Sequence, residues 1–172
     1  MSTIYFETVE TPIGSMHLAI TSKGIAMFEY PIEERLQTHR KMLLDKHQET
    51  DICPEKEVEE VKKQVDNYFN GTRKHFDLPL DLYGTSFQCE VWRSLQKIPF
   101  GKTMSYLELA TSMNQPKSVR AVAQANGQNH IAIIVPCHRI VGSSGKLTGY
   151  SGELWRKEKL LSLERGQEML PF

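Results

Sequence analysis

The chain has 172 residues, 40% of them hydrophobic and 24% charged, which is enough apolar material for one core or two small ones and too much for a disordered tail. No run approaches the roughly 18 apolar residues of a membrane span, and Met1 to Tyr5 lacks the basic and apolar regions of a signal peptide, so an intracellular protein with no membrane partner is expected. The zero net charge hides a division: residues 1–84 carry 10 basic against 15 acidic side chains and residues 85–172 carry 11 against 6, an asymmetry that suits a nucleic-acid-binding second half but is also common on ordinary surfaces.

Ile4 to Thr11 reads as a strand, Pro12-Ile13-Gly14 as a turn, and Met16, Leu18 and Ile20, alternating with polar or small residues, as a second strand. Ser22-Lys23-Gly24 turns the chain into Ile25 to Tyr30, which completes an antiparallel meander. From Glu55 to Asn70, Val58, Val61, Val65, Tyr68 and Phe69 recur at helical spacing opposite a charged face, with Gly71 as a stop. The acids Glu55 to Glu60 suit the first turns of such a helix as a solvated face. Residues 75–84, with Pro79 and Gly84, read as a connecting strand and linker where the charge balance changes, so the domain boundary is placed between 84 and 85.

In the second half, Thr85 or Ser86 can cap a helix with the apolar face Phe87, Val91, Trp92 and Leu95, ending before Pro99-Phe100-Gly101. Ser105 caps a short helix, Tyr106 to Met113, and Pro116 after the polar turn Asn114-Gln115 takes the first position of another, running through Val119, Val122 and Ala123. Two short helices joined by a tight turn suggest a helix-turn-helix. The second carries Lys117 and Arg120, and its small residues Ala121, Ala123, Ala125 and Gly127 suit close approach of either a partner or a neighbouring helix.

Cys53, Cys89 and Cys137 are an odd, sparse set with no Cys-x-x-Cys pair, and the histidines at 17, 39, 47, 75, 130 and 138 show no pair at metal-ligand spacing. Neither a disulfide scaffold nor a metal site is expected. The apolar, strand-like run Ile131 to Val135 ends at Pro136-Cys137-His138-Arg139, then Ile140-Val141 and the flexible Gly142-Ser143-Ser144-Gly145. A thiol thus sits where a buried strand meets a loop. Its cationic neighbours His138 and Arg139 favour a reactive thiolate, whereas a lone cysteine is ordinarily a small buried hydrophobe, as Cys53 and Cys89 are read. Local chemistry leaves both readings of Cys137 open.

The residues Ile134-Val135-Pro136-Cys137-His138-Arg139-Ile140 resemble the signature of the O6-alkylguanine-DNA alkyltransferases. Further matches are Pro99-Phe100-Gly101, Ser105-Tyr106-x-x-Leu109-Ala110, Arg120-Ala121-Val122, Asn126-Gly127-x-Asn129, Gly149-Tyr150-Ser151-Gly152, and Lys159-Leu160-Leu161 ahead of Glu164. The likeness is strong from 85 to 165 and looser before, where Thr11-Pro12-Ile13-Gly14 is also similar. It implies an α/β, RNase-H-like amino-terminal domain over 1–84, followed over 85–172 by a mainly helical, winged-helix-like domain that contains the helix-turn-helix, binds DNA and holds the catalytic residues. Two positions depart from the family pattern: His130 stands where proline is common and Glu153 where a second glycine is usual.

The resemblance implies stoichiometric, irreversible transfer of the alkyl group of O6-alkylguanine in double-stranded DNA to the Cys137 sulfur, by a monomer, in the cytoplasm or, in a eukaryote, the nucleus. O4-alkylthymine is a further candidate substrate. No cofactor and no structural zinc are expected. His138, polarised by Glu164, takes the thiol proton through a water, and Tyr106 donates to the leaving base. Ser151 lies near O6, main-chain groups around Cys137, Ile140, Tyr150 and Ser151 hold the base edge, and Asn129 braces the active turn. Arg120 fills the stack vacated by the flipped nucleotide, and Ser105, Lys117, Ala121 and Gly127 complete the DNA-facing set. Two other readings use the same residues. A cysteine hydrolase is opposed by the adjacency of Cys137 and His138 on an extended segment and by the lack of an acyl oxyanion motif. A non-catalytic helix-turn-helix regulator or lesion-binding protein is opposed by the presence of the cysteine.

Overall fold

The structure, a computed structural model, describes residues 1–166, so the last six residues of the domain expected over 85–172 lie outside the described residues. The chain divides into two compact units, one from Met1 to Tyr83 and one that begins at Gly84.

The first unit is built on a four-stranded sheet. β1 (Thr3–Thr11), β2 (Gly14–Thr21) and β3 (Gly24–Glu29) run antiparallel, with Thr11 opposite Gly14 across the two-residue turn Pro12-Ile13. Period-2 alternation points Met16, Leu18 and Ile20 to one buried face, while Ile4, Ala19 and Met27 on the other face pack with Leu43, so the sheet is covered on both sides. A helix α1 (Glu33–Leu44) and a short β4 (Gln48–Glu49) follow, β4 pairing parallel to β1 to give the order β3-β2-β1-β4. Both lie in a stretch, 31–54, for which the sequence pattern yields no expectation. α2 (Glu55–Phe69) buries Val58, Val61, Val65 and Tyr68, each stabilising the unit by roughly 1.5–3 kcal/mol relative to exposure. Its Gln64 is buried as well, and holds the main chain of Asp77 through both amide groups, at 2.8 and 3.1 Å. The connecting segment then pairs through Leu80 with Ile25, in parallel.

In the second unit, α3 (Ser86–Leu95) starts at a capping box in which Thr85 accepts from the Gln88 amide and Gln88 accepts in return from the Thr85 amide. Trp92 is a core residue, and its indole N–H donates to the Ala125 carbonyl at 2.9 Å. A second capping box, Ser105 with Glu108, starts α4 (Tyr106–Ser112), which is followed by α5 (Val119–Gly127). A two-stranded parallel pair, β5 (Met104–Ser105) with β6 (Ile140–Val141), and α6 (Leu154–Glu164) complete the unit. Among the described residues no helix is long and apolar enough to cross a membrane.

Three local expectations are corrected. Pro116 does not open α5, which begins at Val119: Asn114 at φ 59° ends the preceding segment, and the Ser118 amide closes a separate turn onto the Gln115 carbonyl. Lys117 therefore sits on that turn and not on the helix. Ile131 to Val135 is a turn and not a strand, closed by hydrogen bonds from Val135 to Ile131 and from Ile134 to Ala132, with Ile133 at φ 70°. Finally, Cys137–Arg139 forms a 3-10 turn, so the alternation of an extended segment does not govern where Cys137 and His138 point.

Candidate active site

Asn129 shapes the turn that leads into the reactive segment. Its side-chain amide donates to the Val135 carbonyl at 2.9 Å and its oxygen accepts from the Ile131 amide at 3.0 Å, so one buried residue clamps both ends of an apolar run. Satisfying both main-chain groups from one side chain allows the run to fold on itself rather than seek a strand partner. The next residues place Cys137 at the start of the 3-10 turn, nearly buried, its thiol 4.0 Å from the Tyr150 hydroxyl.

The same turn aims His138 and Arg139 at one carboxylate. Glu164, in the last turn of α6, accepts from His138 Nε2 at 2.7 Å and from Arg139 Nε and Nη2, both at 2.9 Å. Side-chain exposure is 0% for His138 and 1% for Glu164, so the pair lies in low dielectric. The Gly101 amide adds a fourth donor to Glu164 at 3.2 Å. Gly101 has φ 77°, and a Cβ there would come 3.0 Å from the Glu164 carbonyl, so a side chain would be both strained and crowded.

Burial pushes the His138 ring below its ordinary range and outweighs the opposing pull of Glu164, so the imidazole is neutral at neutral pH. Burial alone would raise Glu164, but the hydrogen bonds from His138 and Arg139 and the charge of Arg139 hold it well below the usual carboxylate range. With Glu164 ionised, His138 carries its proton on Nε2. Nδ1 is then a lone pair, buried and without a hydrogen-bond partner among the described residues.

Lys157, about two turns before Glu164 on the same face of α6 as Leu160 and Leu161, is almost fully buried. Its ammonium donates to the Thr148 carbonyl at 3.3 Å and lies 5.9 Å from the Tyr150 ring. Burial lowers its pKa, while Cys137 pulls the other way. Lys157 is thus a cation whose charge bears on the thiol, while the charge of Arg139 is matched by Glu164. Lys157 escapes sequence reading because lysine is rarely buried, although its spacing of 3, 4 and 7 to Leu160, Leu161 and Glu164 places it on the inner stripe.

β5 and β6 bring another expected residue into the neighbourhood. Ser105 pairs opposite Val141 and Met104 opposite the buried Ile140, so Tyr106, the first residue of α4, follows directly on the strand beside the reactive segment. Tyr106 is half-buried, and its hydroxyl has no partner among the described residues. Ser105 is nearly buried and its hydroxyl is engaged as the helix cap. Ser151 donates to the Gly127 carbonyl at 2.7 Å, tying the Tyr150 segment to the end of α5. Arg120 and Ala121 are exposed on the first turn of α5, and Arg120 makes no ion pair or hydrogen bond to a described residue.

His130 is buried with its ring edge-on to Trp92, centroids 5.1 Å apart. Glu153 lies at φ 75°, ψ 141°, a backbone region suited to glycine, which gives the departure at this position a physical cost.

Two family models match consecutive parts of the chain: the ribonuclease-like domain of 6-O-methylguanine DNA methyltransferase over residues 4–82 and its DNA binding domain over residues 86–166. The chain is 41% identical to the methylated-DNA–protein-cysteine methyltransferase of Methanosarcina barkeri, over 94% of this chain and 97% of that one. It is 40% identical to the constitutive enzyme of that name from Bacillus subtilis, over 94% and 95%. Among solved structures, the O6-methylguanine methyltransferase of Mycobacterium tuberculosis superposes with a TM-score of 0.80 at 39% identity, covering 96% and 95% of the two chains. The M. tuberculosis OGT in complex with DNA gives 0.79 at 38% identity, covering 95% and 93%. With the ribonuclease-like domain first and the DNA-binding domain second, this chain belongs to the 6-O-methylguanine DNA methyltransferase family.

Proposed function

We propose that this protein repairs O6-alkylguanine in double-stranded DNA by moving the alkyl group to Cys137 in a single, irreversible turnover. The observation that carries the assignment is the buried thiol on one 3-10 turn with a neutral His138 whose Nε2 is anchored to an ionised Glu164. Glu164 fixes the tautomer, which leaves Nδ1 as the proton acceptor. A water between Sγ and Nδ1 relays the proton, and Lys157 stabilises the thiolate that results.

The sulfur attacks the alkyl carbon. An S–C bond forms, the C–O6 bond breaks, and its electron pair leaves with guanine. The Tyr106 hydroxyl donates to a ring nitrogen of the departing base, which lowers the charge that develops there. Net, the thiol hydrogen is exchanged for the alkyl group and the base regains its proton. The product thioether has no leaving group that another thiol could displace, so each molecule reacts once.

An alkyl carbon inside stacked duplex cannot meet a buried thiol, so the nucleotide must be extruded. Arg120, exposed on α5 and without an ion pair among the described residues, fills the gap from the minor groove, and Lys117 on the preceding turn meets phosphate. Ala121 and Gly127 let the α5 backbone come close. Main-chain groups at Ile140, Tyr150 and Ser151 hold the flipped base, and Asn129 keeps the turn in place. No cofactor enters this chemistry. The reading carries with it a monomer acting in the cytoplasm, or in the nucleus of a eukaryote.

Incubation with an O6-methylguanine duplex followed by intact-mass measurement tests the assignment. The mass should rise by one methyl in place of one hydrogen, mapped to Cys137, and Cys137→Ala should bind the lesion without gaining mass. Binding by the unsubstituted protein with no mass change would identify a non-catalytic lesion-binding protein instead.

A further inference from the structure

Arg139 is held more firmly than any proton-transfer step requires of a bystander. Its side chain is 8% exposed; Nε donates to Glu164 Oε2 at 2.9 Å and Oε1 at 3.2 Å, and Nη2 donates to Oε1 at 2.9 Å. Nη1 donates to the Ile98 carbonyl at 2.6 Å, and the Phe100 ring lies 5.9 Å from the guanidinium carbon. The guanidinium thus meets the reactive turn, the segment 98–101 and the end of α6 at once.

The charge count shows what this cation does. With Arg139 present, the cluster of Arg139, Glu164 and His138 is neutral when His138 has no extra proton and carries +1 when it has one. Without it, the same two states carry −1 and zero. A buried site favours the state of lower net charge, so the guanidinium reverses which protonation state the interior prefers.

We infer that Arg139 is a positioning residue that, by matching the charge of Glu164, keeps the His138–Glu164 pair free of an extra proton at neutral pH and so able to receive one from Cys137. This rests on the reading above, in which His138 takes the thiol proton. The other groups facing the pair do not replace it. Lys157, from α6, acts in the same direction on His138, but burial weakens its hold on its own proton. Cys137 is the source of the proton and brings no positive charge to the pair. Segment 98–101 offers the Ile98 carbonyl and the Gly101 amide to the cluster, neither of which titrates.

The test uses the full chain and two readouts: the His138 ring titration by NMR, and the pH dependence of single-turnover benzyl transfer from free O6-benzylguanine, which needs no DNA. In Arg139→Gln the titration midpoint of the pair should rise by about one pH unit or more, a tenfold gain in proton affinity, and the acid limb of the transfer rate should move with it. Arg139→Lys, which keeps the charge, should leave both midpoints near their original place even where the rate falls. Arg139→Gln combined with Glu164→Gln removes both charges and should bring the His138 midpoint back down.

A folded Arg139→Gln with unmoved midpoints overturns the inference. Should that variant not fold, a midpoint raised by about one pH unit in Arg139→Lys overturns it equally, since the charge is retained there. Failure of the unsubstituted protein to take up benzyl would instead count against Cys137 as acceptor, leaving the NMR titration to judge Arg139.

Discussion

Asn129→Ala should unravel the turn that carries the thiol, and the structure sets the size of the effect. Two hydrogen bonds are lost, but they are not equivalent. The Val135 carbonyl also accepts from the Cys137 amide at 2.8 Å, so it keeps a partner and the loss there is about 1 kcal/mol. The Ile131 amide is left buried with no acceptor, which costs about 1–3 kcal/mol. Nothing local compensates, because Ile133 at φ 70° already stores about 1–2 kcal/mol that is released when the turn opens. The expected loss is therefore roughly 2–4 kcal/mol, together with slow alkyl transfer. Both tryptophans, Trp92 and Trp155, lie in the second unit, so urea unfolding followed by tryptophan fluorescence reports on that unit alone. Asn129→Asp should do no better: it keeps an acceptor for Ile131 but directs a carboxylate at the Val135 carbonyl. A change below about 0.5 kcal/mol in Asn129→Ala, with transfer intact, would refute the clamp.

Arg120→Ala should slow repair of duplex DNA far more than benzyl transfer from the free base, which needs no extrusion; equal losses in both assays would move Arg120 out of the flipping step. Tyr106→Phe removes one hydroxyl that has no partner among the described residues, so it should lower the transfer rate within the bound complex and leave stability and duplex affinity nearly unchanged; a rate equal to that of the original protein would take Tyr106 out of the chemistry. Glu153→Gly relieves a backbone conformation costing about 1–3 kcal/mol against about 0.5–1 kcal/mol for the added freedom of the unfolded chain, so Tm should rise by roughly 2–4 °C for each kcal/mol of net gain. A lower Tm for that variant would show that the Glu153 contacts to Trp155 and Arg156 outweigh the strain.

What could be read in the sequence follows where local physics is strong. The strands of the meander and α2 are visible because alternation and helical spacing there coincide with burial. The two capping boxes are spelled out by Thr85 with Gln88 and by Ser105 with Glu108. α1 is hidden because its only fully buried side chain is Leu43, and its apolar residues, Leu36 and then Met42, Leu43 and Leu44 together at the end, do not repeat at helical spacing along its length. The run Ile131 to Val135 is misread because a short apolar run suits a buried strand or a buried turn equally well. What decides between them is Asn129, whose polar amide looks like a loop residue until its two main-chain partners are seen.

The site obeys the same division. Cys137, His138 and Arg139 are contiguous, so their proximity is trivially legible, yet their roles are not: the two basic residues beside the thiol in sequence are respectively neutral and paired with Glu164, and a buried cation whose charge couples to the sulfur, Lys157, lies twenty residues on. Glu164 illustrates the point most sharply. In isolation it is a carboxylate at the end of a helix, where the macrodipole disfavours negative charge and solvent is its natural partner. It can be ionised there, inside the protein, because four donors from two other segments converge on it. A thiol that must react once depends on that convergence, and β5 with β6 extends it by fixing the start of α4 beside the reactive segment. Chemistry encoded in three short stretches becomes one site only through pairings that no single stretch contains.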